Sequence, residues 1–190
     1  MAKFLRQISD FSRVELGSGH NPQEGFVHVE YHENFPKVDI VCDLVNENLP
    51  IANGVVRHMI AFHLIEHIPW RKLPFVLNDW ARVMSPGGKL FIRTPNLRKI
   101  CEQYLKGEIT PEWPGDMKEL TQIFGQFGPS EWAIVKLFSG QDYVGNTHYF
   151  CLDPDSAKRL FERHGFYEFK EVDIEPKFSP YELQFFVTRK

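Results

Sequence analysis

The sequence predicts an α/β fold built on an open, largely parallel sheet, and three observations carry that prediction. Short apolar runs bounded by turn residues recur along the chain, a helical repeat separates two of them, and a glycine turn closes an early strand where such sheets bind ligands. Strands are expected at residues 13–16, 26–30, 39–42, 56–61 and 89–93. Leu73, Val76, Leu77, Trp80, Val83 and Met84 recur at helical spacing from about residue 72, and Ser85-Pro86-Gly87-Gly88 stops the pattern. Thr94-Pro95-Asn96 ends the next strand, and residues 97–105 read as a second helix.

From residue 107 to residue 146 the composition changes, with Pro111, Pro114, Gly115, Gly125, Gly128, Pro129, Gly140 and Gly145 breaking up aromatic-rich pieces. This stretch reads as an insertion, too long for a structureless connection, with short helices expected at 117–127 and 131–138 that cover the pocket as a lid. The tail recovers the earlier pattern. A helix is expected at 154–164 with Asp153 as its N-cap, followed by strands near 166–172 and 183–188. No internal repeat or low-complexity tract is present, and residues 1–190 read as one domain.

Composition narrows the function classes. With 43% hydrophobic and 14% aromatic residues, the 190-residue chain can bury one core, which excludes wholesale disorder. A formal charge of −3 gives no general attraction to polyanions, so nucleic acid is not an expected partner. Arg71-Lys72 and Arg98-Lys99 are short enough to be solvated helix faces. Cys42, Cys101 and Cys151 lie far apart with no CxxC pair, suggesting neither a disulfide framework nor a thiolate zinc site. No apolar run has signal-peptide or membrane-spanning length, and a cytoplasmic protein with no membrane partner is expected.

The segment RVELGSGHNPQEGFVHVE, residues 13–30, concentrates the chemistry. Gly17-Ser18-Gly19 lets the backbone turn sharply off a buried strand and lets a ligand press against bare peptide. Val27 and Val29 alternate with His28 and Glu30, so the second strand delivers a carboxylate beside the first strand's carboxyl end. Such a carboxylate can accept two hydroxyl hydrogen bonds from a ribose. A dinucleotide fingerprint would need a third glycine, a crossover helix and an acid about 20 residues further on. Here Glu30 follows Gly19 by only eleven residues, and Glu15 before the turn repels phosphate while attracting an ammonium group. Nicotinamide-dependent oxidoreduction is therefore disfavoured.

ELGSG, GFVHVE, VDIVCDL, AFHLIEHIPW and RVMSPGGKLFIRTPN, in that order, resemble the class I S-adenosylmethionine-dependent methyltransferases, in the short branch whose first crossover helix is reduced to a loop. The resemblance covers about residues 13–96 and resumes near His148. It implies a Rossmann-like, seven-stranded, mostly parallel sheet with helices on both faces and an antiparallel last strand, the helical insertion preceding the C-terminal strands. It also implies S-adenosylmethionine as cofactor and S-adenosylhomocysteine as product. By the same resemblance Gly17, Ser18 and Gly19 lie under the methionine part and Glu15 lies near its amino group. Glu30 takes the ribose, Asp43 and Leu44 contact the adenine, and Phe62 and His63 border the sulfonium. The family more often has Asp where Glu30 stands.

The acceptor expected is a small or sugar-containing molecule, methylated on oxygen or nitrogen. Gly145-Asn146-Thr147-His148 resembles a segment of the family's sugar- and natural-product-modifying members, which makes His148 a candidate general base, with His63 as second choice. For each residue a plainer role stands beside the functional one. Paired glycines punctuate loops, Asp43 can cap a turn through its side chain, and His148 can bond backbone.

His63-Leu64-Ile65-Glu66-His67 also matches the HxxEH signature of a zinc peptidase family. That chemistry needs both histidines on one helical face, whereas here they follow a strand and are cut off by Pro69. The resemblance also raises a divalent ion at Glu66 and His67, since methyltransferases acting on catechol-like acceptors hold one with acids and a histidine near this position; support of a helix start is the expected role instead, and no metal site is expected. The alternative from another class is a non-catalytic binding module on the same fold. The sequence leaves the oligomeric state open.

Overall fold

A computed structural model describes residues 1–109, 121–125, 128–139, 141, 145–173 and 180–190. Eight strands form one sheet: β1 (Lys3–Phe4), β2 (Arg13–Leu16), β3 (Val27–Glu30), β4 (Ile40–Val41), β5 (Val56–Phe62), β6 (Met84–Pro95), β7 (Phe166–Glu171) and β8 (Glu182–Arg189). Their spatial order is β1-β4-β3-β2-β5-β6-β8-β7. From β4 through β6 every neighbour is parallel, and β8 runs antiparallel to both β6 and β7. These are the seven expected strands, and a two-residue edge strand, β1, adds to them by pairing antiparallel with β4.

The sheet is wound both ways from β2. The chain steps outward through β3 and β4, then crosses back so that β5 lies on the other side of β2. The carboxyl ends of β2 and β5 therefore flank the topological switch point, the crevice where open α/β sheets bind ligands. Val14 and Leu16 are fully buried, and Glu15 between them is only 2% exposed, because a central parallel strand is covered on both faces. β2 passes to β3 through residues 17–26 without a helix, as the short spacing requires.

Four helices carry further labels: α1 (Leu73–Val83), α2 (Leu97–Lys106), α3 (Pro129–Phe138) and α4 (Pro154–Arg163). α1 buries Val76, Leu77 and Trp80 against the sheet and starts where Pro74 needs no amide partner. An ion pair with a buried acid also anchors it: Asp79 accepts from the Leu49 amide (2.7 Å) and from Arg82 Nε (2.7 Å), while Arg82 also donates to the Leu49 and Ile51 carbonyls. β6 begins at Met84, earlier than the expected residue 89. Met84 pairs with Val56 ahead of a register shift, so Ser85-Pro86-Gly87-Gly88 forms an irregularity within the strand rather than a break before it. Asn96 caps α2, and Asp153 caps α4 by accepting from the Ser156 amide (2.7 Å), as expected.

The main core lies on the sheet, with Phe161, Phe166 and Phe185 packed edge to face. A second cluster joins Ile100 of α2, Ile109, Trp132 of α3 and Tyr181. It joins α3 to α2 and to the start of β8. Of the two helices expected in the insertion, 131–138 falls within α3. The stretch 117–127 lies partly outside the described residues, of which 121–124 are helical. The three cysteines are free thiols, and burial first of all pushes Cys42 and Cys151 up to about 12. Among the described residues no helix is long and apolar enough to cross a membrane.

Candidate active site

The glycine turn after β2 and the acid ending β3 meet directly. The Gly19 amide donates to Glu30 Oε1 (2.6 Å), the Tyr31 amide donates to Glu30 Oε2 (2.9 Å), and the Gly17 amide donates to the Val29 carbonyl (2.9 Å). Gly19 adopts φ +54°, and a Cβ there would meet no atom within 4 Å, so bare backbone faces open space at the turn. Next to it, Ser18 is buried and its Oγ has no hydrogen-bond partner among the described residues. An unsatisfied buried hydroxyl is costly, and a ligand group can relieve it.

Gly17 has a different use. A Cβ at Gly17, φ +65°, would lie 2.9 Å from Leu64 Cδ1, so the missing side chain admits Leu64 from the turn after β5. Leu64 thus roofs the switch point between the two strands. Glu15 is also occupied: it accepts from the Gln23 amide (2.7 Å) and from His28 Nδ1 (3.0 Å). Burial, partly offset by those bonds, raises its pKa. Glu15 therefore ties the loop 17–26 down from beneath.

The remaining expected cofactor residues sit at the same sheet edge with local partners. Asp43 accepts from the Val45 amide (3.0 Å) and from Asn46 Nδ2 (2.9 Å), which is the turn-capping geometry, and the half-buried Leu44 packs on the core. Phe62 stacks edge-on with Phe91 (5.3 Å), under the Arg93 guanidinium (4.4 Å). The shallow cleft of about 590 Å³ lined by Arg13, Phe26 and Lys37 lies at the opposite, amino end of β2 and β3.

His63 follows β5 at φ +50° and bridges two acids. Its Nε2 lies 2.9 Å from Glu182 Oε1 and its Nδ1 lies 3.3 Å from Glu66 Oε1. Burial works to lower its pKa, but hydrogen bonds and charge from Glu182 and Glu66 prevail and raise it to about 9. His63 is thus an imidazolium at neutral pH. A raised pKa disfavours the neutral ring that a general base or a zinc ligand needs. Helix geometry agrees, since residues Ile65–His67 make only a single 3₁₀ turn.

Glu182 and Thr94 carry no sequence signal for this role. Glu182 opens β8, and its Oε2 also pairs with Arg93 (3.4 Å). The Thr94 hydroxyl donates to Glu66 Oε2 (3.0 Å). Glu66 is fully buried; burial would raise its pKa, yet the His63 bond and charge and nearby histidines hold it lower.

The segment after α3 brings His148 to this same turn. The Tyr149 amide donates to the Glu66 carbonyl (2.9 Å), and the His148 ring meets the His67 ring edge-on, centroids 4.8 Å apart. Burial first of all lowers the His148 pKa, which disfavours the charged ring.

No protein-family model and no curated protein matches the sequence. Solved structures do match the fold. The trans-methyltransferase CalH, in complex with S-adenosylhomocysteine, aligns at 17% identity and TM-score 0.53 over 95% of this chain and 52% of CalH. A Thermotoga maritima S-adenosylmethionine-dependent methyltransferase, described as a possible histamine N-methyltransferase, aligns at 13% identity and TM-score 0.59 over 96% of this chain and 84% of its own. Human N-acetylserotonin methyltransferase, in complex with S-adenosylmethionine, aligns at 15% and 0.53 over 93% of this chain and 47% of that enzyme. This chain thus spans about half the length of CalH and of the human enzyme. Its fold is the one these methyltransferases share.

Proposed function

We propose that the chain is an S-adenosylmethionine-dependent methyltransferase acting on a small or sugar-containing acceptor, at oxygen or nitrogen. The observation that carries this reading is the bond from the Gly19 amide to Glu30, formed at adjacent parallel strand ends in a fold shared with methyltransferases. The donor set suits the cofactor: Glu30 offers carboxylate oxygens for ribose hydroxyls, Gly19 offers bare backbone, and Ser18 offers an unused hydroxyl. Asp43 and Leu44 would border the adenine, Glu15 would set the loop beneath the methionine part, and Phe62 would close the edge beside the reacting methyl. When bound, the cofactor supplies an electrophilic methyl group on a sulfonium.

The chain's own work is positioning and exclusion of water. An acceptor lone pair attacks the methyl carbon in line, the carbon–sulfur bond breaks with its electron pair going to sulfur, and the acceptor loses a proton. Of the two histidines considered, His148 is the one whose burial disfavours the charged ring, and it would be the base that takes this proton. The 107–146 insertion, anchored through Trp132, would form the lid over that side.

Incubation with methyl-labelled S-adenosylmethionine and a panel of hydroxylated, amino and glycosylated small molecules tests the reading. Label should move to one acceptor class and be lost in Glu30→Ala. Cofactor binding without transfer to any class would favour the non-catalytic module instead.

A further inference from the structure

We propose that Glu66, His67 and His148 form a binding site for one divalent first-row transition ion of the zinc type. Their ligand atoms lie within 4.8 Å of one another, on elements brought together from the turn after β5 and from the end of the insertion. From the sequence, Glu66 and His67 are expected to support a helix start, and His148 is not joined to them.

The hydrogen bonds around the cluster are those a metal site needs. His67 Nδ1 donates to the Thr147 carbonyl (3.1 Å), and His148 Nδ1 donates to the Lys136 carbonyl (3.3 Å). Since a carbonyl can only accept, each ring carries its proton on Nδ1 and keeps a lone pair on Nε2. Backbone carbonyls orient metal-ligating histidines in this way and fix their tautomer. The carboxylate is prepared similarly. Thr94 holds Glu66 Oε2, while Oε1 is fully buried and has no hydrogen bond of good geometry among the described residues.

Two imidazoles and a carboxylate suit zinc, iron or nickel better than magnesium, which prefers oxygen ligands. Ligands at about 2.1 Å can stand no more than about 4.2 Å apart, so an ion draws the rings slightly inward. The His63 imidazolium, 3.3 Å from Glu66 Oε1, opposes a cation there. It remains paired with Glu182 when Glu66 turns to the metal. Three protein ligands leave a coordination position open toward the acceptor side, as in catalytic rather than structural sites. One Nε2 lone pair cannot bind the ion and take a proton at once, so the ion-loaded protein would not use His148 as the base named under the proposed function.

The assignment does not depend on the methyltransferase reading, and it can fail separately. Chelator-treated full-length protein is titrated with Zn²⁺, and with Co²⁺ followed by visible spectroscopy, alongside His148→Ala, Glu66→Gln and the surface control His164→Ala. The expected result is one ion per chain and a Co²⁺ spectrum of nitrogen and oxygen ligation without thiolate bands. Affinity should fall at least about 100-fold in His148→Ala and Glu66→Gln and stay unchanged in His164→Ala. Circular dichroism of each variant establishes that it is folded. Absence of stoichiometric binding, or binding unaltered in folded His148→Ala, overturns the proposal.

Discussion

Single side chains decide two measurable properties. Glu30 already accepts from Gly19, so its removal takes away the tether of the glycine turn together with the carboxylate proposed for the ribose. Glu30→Ala should weaken S-adenosylhomocysteine binding at least about tenfold, the scale of a lost charge-assisted hydrogen bond, measured by equilibrium titration. His63 titrates near 9 in the folded chain against an ordinary 6.5. A raised pKa contributes stability that is complete below about 6.5 and is lost as pH rises through about 9. The melting temperature should therefore fall between those values in the parent protein and fall less in His63→Gln. Equal pH profiles for the two would contradict the ion-paired assignment. Glycines and acids at strand ends were legible at this scale because their spacing is local. The partners of His63 were not, since Glu182 lies on the last strand and only tertiary folding brings it within 2.9 Å.

Among elements, α1 and the insertion carry the tests. Asp79 is nearly buried and binds both Arg82 and the Leu49 amide, so Asp79→Ala leaves that amide without its acceptor and takes the charged partner from Arg82. It should cost about 2–4 kcal/mol in urea unfolding. Trp132 fills the small cluster between α2 and α3. Trp132→Ala should selectively reduce amide-exchange protection in α3 while β2 and β5 keep theirs, because the cavity opens in the second cluster and not in the sheet core. Uniform loss of protection would mean that the insertion is not a separable layer. Periodicity placed α1 closely, its apolar stripe being continuous. It set the start of β6 five residues late, because Ser85-Pro86-Gly87-Gly88 reads as a stop, whereas pairing of Met84 with Val56 carries the strand across it.

At the scale of the whole molecule, the winding order puts Gly17, Gly19, Glu30, Asp43 and His63 at the carboxyl ends of the parallel strands, around the switch point between β2 and β5. The topology was legible through a resemblance spread over five motifs. The edge strand β1 was not, because two residues carry no periodicity, and the Leu64 roof over Gly17 was not, because it needs contact between separate turns. The central claim is that this edge binds S-adenosylmethionine. Calorimetric titration of S-adenosylhomocysteine into the purified chain, with NAD as control and Glu30→Ala alongside, tests it most directly. Micromolar binding that NAD does not reproduce and the variant loses is the predicted result; no heat from folded, cofactor-free protein would contradict it.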